Sequence, residues 1–172
     1  MAVRFYGDFQ NDVGDNFRIN IYDSAFSGSA TEQTVAVPGF QLTYEGNNQE
    51  QYQPLLPSKI EFTLYNEGGD FDTWLNDVVP AATEARFAVE VLTDAGTINE
   101  ALWWRGILLP EQTQQNDEPT PTSVSFVASD DLAQLKETTC DELNLSAYTI
   151  ADAIHAMLSL VRCKSLYADN DD

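Results

Sequence analysis

The sequence predicts a mainly β protein: an antiparallel β-barrel or sandwich with a short helix between strands and a C-terminal α-helix. Three observations predict it. Seven or eight short segments alternate between apolar and polar residues, and turn residues separate them. Ser58–Tyr65 and Thr122–Ser129 hold that alternation without a break. A helical period long enough to be convincing occurs once, over Ser146–Arg162. The division follows: residues 1–137 form a β assembly domain, and residues 138–172 a helix with an acidic, disordered tail.

Val3–Phe9 reads as a short strand and Gln10–Asp15, with Asn, Asp and Gly, as a turn. Asn16–Tyr22 follows with Phe17, Ile19 and Ile21 on one face, which makes a hairpin. Ser24–Ser29 is a loop of small residues. Gln33–Tyr44 contains Val35, Val37, Phe40, Leu42 and Tyr44, interrupted by Pro38-Gly39, so it is two strands or one bent strand. Glu45–Pro57 is a polar loop.

In Ser58–Tyr65, Ile60, Phe62 and Leu64 face inward. Asn66–Asp72 is a turn. Phe71, Trp74, Leu75 and Val78 follow helical spacing up to Pro80, which stops a short helix. Ala85–Leu92 is a strand with Phe87, Val89 and Val91 on one face. Asp94-Ala95-Gly96 turns it into Leu102–Leu109, forming a second hairpin.

Ala101–Lys136 is the most informative stretch. Strand Leu102–Leu109 carries Trp103, Trp104 and Arg105. An excursion, Pro110–Pro121, forms a surface loop free to meet a neighbour, and its Gln112, Gln114 and Asp117 join Trp103, Trp104 and Arg105 as candidate interface residues. Strand Thr122–Ser129 places Val124, Phe126 and Ala128 on one face. Asp130 or Asp131 then caps a short helix that turns Leu132 and Leu135 inward. Adjacent tryptophans in a strand point to opposite faces, so one is core and the other is exposed or covered by another chain. Arg105 pairs with a carboxylate in its own chain or a neighbour's. In the C-terminal helix, Ile150, Ile154, Met157, Leu158 and Val161 form the packing stripe.

At 172 residues the chain can bury a sizeable core without metal or disulfide. No apolar run reaches the ~18 residues of a membrane span, and the N-terminus has no signal pattern, so no membrane anchor is expected. Cys140 and Cys163 fit no zinc or redox spacing and read as free thiols, with a disulfide between them as the alternative. Acidic residues number 28 against 8 Lys plus Arg, a formal charge of −20. That balance argues against a nucleic-acid grip, which needs clustered cations. It fits a solvated surface, adaptation to salt, or a conduit that must not stick to DNA.

Catalytic chemistry finds no foothold. The single histidine, His155, has no nucleophile or ligand set beside it. No EF-hand spacing, GxGxxG or P-loop occurs, so neither cofactor nor metal is expected and the chain does not read as an enzyme. An exposed Trp103 or Trp104 also fits a sugar-stacking platform.

The order of segments resembles the N-terminal region of tail hub (tail-tip or baseplate hub) proteins of tailed bacteriophages over roughly residues 3–160. The resemblance rests on Asp15–Tyr22, Gly39–Gly46, Pro54–Leu64, Leu102–Glu111 with its Trp104-Arg105-Gly106, and Pro121–Lys136. Where the family has Asp-Gly-Leu, this chain has Asp130-Asp131-Leu132. Larger hubs continue past the helix that Ser146–Arg162 resembles, so a short, split or truncated hub is expected. The resemblance implies a virion structural protein assembled in the host cytoplasm. It would form a ring, with a trimer favoured and a hexamer as the other possibility. The ring would join the tail tube protein to spike, fibre or tape-measure proteins and let DNA pass without specific binding. A distal tail or tube-adaptor protein in a six-fold ring is the neighbouring reading. A carbohydrate-binding β-sandwich is the reading from another class.

Overall fold

Nine strands lie in one continuous, mostly antiparallel sheet in the computed structural model, which describes residues 1–44, 57–82, 86–115, 120–130 and 132. In chain order they are β1 (Ala2–Gln10), β2 (Asn16–Asp23), β3 (Thr31–Glu32), β4 (Val35–Tyr44) and β5 (Ser58–Asn66). After the helical insert come β6 (Phe87–Thr93), β7 (Ala101–Leu108), β8 (Gln114–Gln115) and β9 (Thr122–Ser129). The spatial order is β3-β1-β2-β6-β7-β9-β5-β4, with the short β8 on β9. The mainly β class read from alternation is the class observed.

The sheet bends at one weak joint. β7 and β9 pair only at Ile107–Ser129 and Leu108–Ala128. On either side lie two layers, β3-β1-β2-β6-β7 and β9-β5-β4, which face each other. Phe5, Ile19, Ile21, Val89 and Val91 of the first layer share one core with Ile60, Phe62, Leu64, Val124 and Phe126 of the second. These are the inward faces that the period-two pattern predicts. The result is sandwich-like and not a closed barrel.

One segment touches both ends of the sheet. β3 pairs parallel with β1, and β4, two residues later, pairs with β5. Between them the Gln33 N–H donates to the Tyr6 carbonyl at 2.7 Å, and the Thr34 carbonyl accepts from the Tyr65 N–H at 2.9 Å. Backbone groups that an open edge would leave to solvent are paired here. The Pro38-Gly39 break resolves as one strand with an irregular register between Val35 and Phe40. Gly39 has φ +89°, a conformation costly for other residues.

The short helix expected before Pro80 is a turn of α-helix, α1 (Gly69–Thr73), running into a π-helical turn, Trp74–Val78. It plugs one end of the sandwich. Phe71 meets Phe5 edge-on at 4.9 Å, and Trp74 lies 5.0 Å from Phe5 and 5.3 Å from Phe87. Burying each of these large rings contributes roughly 1.5–3 kcal/mol. The C-terminal helix with Ile150, Ile154, Met157, Leu158 and Val161, the acidic tail, His155, Cys140, Cys163 and Asp117 lie outside the described residues.

Candidate functional site

At the end opposite the α1 plug, the two layers separate beyond the β7–β9 joint. The β1–β2 turn, the β6–β7 loop, the end of β4 and the start of β5 all meet there. Trp103 and Trp104 stand in this mouth.

A β-bulge puts both indoles on the same side. Leu92 pairs with Leu102 and Val91 with Trp104, which leaves Trp103 as the extra residue. Trp104 therefore shares the inner face with the core residue Val91. Trp103 also turns inward, to 5.2 Å from Phe40 and 6.3 Å from Phe17. The opposite-face expectation for neighbouring strand residues is corrected by this bulge. Trp104 is 9% exposed and Trp103, at the rim, 45%. Phe9, Phe17, Phe40 and Trp103 form an aromatic cluster with centroid distances of 5.2–6.3 Å. Val13, Tyr44, Ile98 and Leu102 are exposed around the same end.

Trp104 reaches across the mouth. Its Nε1–H donates to Ser58 Oγ at 2.9 Å. The Ser58 hydroxyl donates in turn to Asp130 Oδ2 at 2.7 Å, and the Ser58 N–H donates to the same oxygen at 2.8 Å. The Asp130 N–H returns a bond to the Ser58 carbonyl at 3.0 Å. Asp130 Oδ1 also accepts the Leu132 N–H at 3.0 Å. That last bond has the geometry of a helix cap. Asp130 therefore does two jobs: it begins the next turn and it locks the exit of β9 to the entry of β5. The helix it would cap lies outside the described residues.

Gly106 makes room for this reach. A Cβ there would stand 2.3 Å from the Trp104 ring and 2.4 Å from the Ser129 carbonyl oxygen. The Trp104-Arg105-Gly106 triplet thus has a physical reason: the indole folds over a residue without a side chain.

Arg105 points to the outer face of the sheet. Its Nε–H donates to Glu90 Oε1 at 2.7 Å, and Nη2 contacts the same oxygen. Glu90 Oε2 accepts from Tyr22 OH at 2.7 Å. Of the two expectations for Arg105, the ion pair within the chain is the one observed. The Tyr22 hydroxyl is held well above its ordinary pKa, first by burial, then by its hydrogen bond to Glu90 and that carboxylate's charge.

All four arginines among the described residues pair with carboxylates: Arg4 with Asp23 and Asp70, Arg18 with Asp8, Arg86 with Asp23, and Arg105 with Glu90. What they leave outward is an acidic surface.

Gln112 and Gln114 are exposed, as expected of the excursion, but the excursion is not loose. Gln114 pairs with Ser125 and Gln115 with Val124. Between it and β4 runs a groove of about 500 Å³ lined by Pro38, Gln41, Glu61, Thr63, Gln112 and Gln114, among others.

Trp103, Trp104 and Asp130 come together at one end. Gln112 and Gln114 lie apart on the outer face of β9. Sequence reading missed Ser58, Phe40, Gly106 and Glu90. Gly106 had a signal in its place after Trp104-Arg105, and Glu90 had one in the need of Arg105 for an anion. Ser58 had none. Among the described residues no helix is long and apolar enough to cross a membrane. No family model, curated protein or solved structure matches this chain.

Proposed function

We propose that the chain is a structural subunit of a bacteriophage tail tip, a hub ring that joins the tail tube to the spike or fibre. One observation carries this reading. Four of the five segments of the resemblance, those that contain Trp104-Arg105-Gly106, Thr122–Ser129, Ser58–Leu64 and Gly39–Tyr44, lie on β7, β9, β5 and β4, four successive strands of the sheet, and the fifth, Asp15–Tyr22, falls on β2, with β6 between. Most of the resemblance thus falls on one run of neighbouring strands. The mouth offers a self-association surface of the right chemistry: a half-exposed indole ringed by exposed apolar residues. Trp103 is the contact residue there, while Trp104 and Arg105 serve inside the chain. The role is assembly, with no catalytic step. Closing a ring on the mouth would cover its apolar rim and leave the acidic surface to solvent and to a lumen that repels phosphate.

Native mass spectrometry and negative-stain imaging of the purified chain test this reading. Closed rings of three subunits support a hub, and rings of six the tube-adaptor reading. Trp103→Ala should dissociate the rings and leave the β-sheet circular dichroism unchanged. A chain that stays monomeric at high micromolar concentration, or rings indifferent to Trp103→Ala, would sink the proposal. The carbohydrate reading keeps one observation, the exposed edge of Trp103. Binding on a glycan array that Trp103→Ala abolishes would favour it instead.

A further inference from the structure

The groove between β4 and the β8 excursion lies on the outer face of the sheet, with β5 and β9 as its floor. Its volume of about 500 Å³ is that of a ligand site. Gln41 of β4 stands beside Glu61 of β5 on one side. On the other, Gln114 of β8 pairs with Ser125 of β9, and Glu111 and Gln112 belong to the 3-10 turn just before it. All five of these long polar side chains are exposed. Among the described residues, none of the five has a hydrogen bond or ion pair through its side chain. That sets Glu61 and Glu111 apart from Asp8, Asp23, Asp70 and Glu90, which arginines hold. No lysine, arginine or histidine among the described residues lines the groove.

We propose that this groove docks an extended, basic segment of a partner protein. The side chains match such a segment group by group. A carboxamide both donates and accepts, as a peptide backbone does. Gln41 on one wall and Gln112 and Gln114 on the other can therefore hold the backbone of a chain laid between them. A carboxylate only accepts, so Glu61 and Glu111 call for cations, the side chains of Lys or Arg. The two floor strands lie ~4.8 Å apart, a width that suits one extended chain. Charge complementarity selects the same occupant. The formal charge of −20 draws a cationic partner and repels nucleic acid, anionic lipid and acidic peptides. A sugar chain gains nothing from that field. It also finds no aromatic face in the groove, because Phe40, Phe62 and Phe126 pack toward the core. The inference concerns a surface other than the mouth and does not rest on the tail-tip reading.

Fluorescence anisotropy with a labelled peptide of alternating Lys and Ala tests it on the full-length protein, at physiological salt so that diffuse attraction is screened. Peptides with Gln or Glu in place of Lys are the neutral and acidic controls. The Lys peptide should bind, the Gln peptide more weakly, and the Glu peptide not at all. Glu61→Gln combined with Glu111→Gln should weaken binding about tenfold or more. Asp12→Asn combined with Asp94→Asn removes the same charge from exposed positions outside the groove, and should weaken it less than about twofold. Gln41→Ala and Gln114→Ala leave the charge unchanged and should each weaken binding, while Trp103→Ala should not. All of these positions are exposed, and circular dichroism checks that each variant folds. Equal losses from the two charge-matched pairs would overturn the proposal, because the attraction would then belong to the whole surface. Indifference to both Gln41→Ala and Gln114→Ala, or no binding of the Lys peptide, would overturn it as well. Binding of a neutral oligosaccharide such as maltoheptaose that Gln114→Ala abolishes, with the Lys peptide silent, would replace it with a sugar site.

Discussion

The indole N–H of Trp104 donates to the hydroxyl of Ser58 at 2.9 Å, tying β7 to β5 across the mouth where the two layers part. The same hydroxyl donates to the buried carboxylate of Asp130. Ser58→Ala removes both bonds and leaves a buried donor and part of a buried charge unmatched. Such losses cost ~1–3 kcal/mol. Chemical denaturation should show that loss with an unchanged m-value, and Trp104 fluorescence should shift as its N–H loses its partner. If Ser58→Ala matches wild type in midpoint, the lock carries no stability.

Gly106→Ala should destabilise the fold for a reason independent of backbone conformation, since Gly106 carries no left-handed φ. The added methyl meets the Trp104 ring and the Ser129 carbonyl, and overpacking of this kind costs ~1–3 kcal/mol. In a Trp104→Phe background the ring contact is relieved but the carbonyl contact stays. The penalty should therefore shrink and not vanish. Thermal melts of the four proteins in this cycle measure the coupling, and strict additivity would mean that Trp104 does not lie over Gly106.

How much of this was legible in the sequence depends on the distance over which each feature is encoded. Ser58–Tyr65 and Thr122–Ser129 predicted their own buried faces, because alternation is local and one face meets a core. Pro80 marked the end of the α1 plug for the same reason. The bulge at Trp103 was not legible. It depends on how β7 registers against β6, and neither strand alone states that register. The Ser58–Asp130 lock joins residues 72 apart in the chain, and nothing local to either residue announces the other. Arg105 left its partner open between own chain and neighbour, and only the cross-strand pairing with Glu90 decides it.

Asp23 should set part of the acid stability. Its side chain is fully buried and takes bonds from Arg86 Nε at 3.0 Å, Arg4 Nη1 at 3.2 Å and the Ala25 N–H at 2.9 Å. Burial alone would raise its pKa. The Arg86 hydrogen bonds, then the Ala25 N–H and Arg4, outweigh burial and hold it below the ordinary carboxylate value. A lowered folded pKa gives stability that is in place above the unfolded value, about 3.9, and is lost as pH falls through the folded one. Asp23→Asn should cost ~2–4 kcal/mol at neutral pH, less than for a fully buried pair because both guanidiniums reach solvent. The wild-type-minus-mutant stability difference should shrink below about pH 4. A difference that stays flat from pH 7 to pH 3 would rule out this linkage.

Tyr22 gives the matching prediction at high pH. Burial is the larger cause of its raised pKa, and the Glu90 carboxylate on its hydroxyl is the next. A phenol whose folded pKa lies above its unfolded value, about 10, contributes stability fully present below that value and lost as pH rises past it. Ultraviolet titration should therefore show Tyr22 silent while the protein is folded, appearing only as it unfolds. Tyr22→Phe should remove that silent group and flatten the alkaline loss of stability. At neutral pH it should cost only about 1 kcal/mol, because Arg105 still pairs with Glu90. Glu90→Gln should bring Tyr22 back toward the ordinary range without removing its burial. If Glu90→Gln leaves the titration unchanged, burial alone sets the shift and the Tyr22–Glu90 bond adds nothing to it.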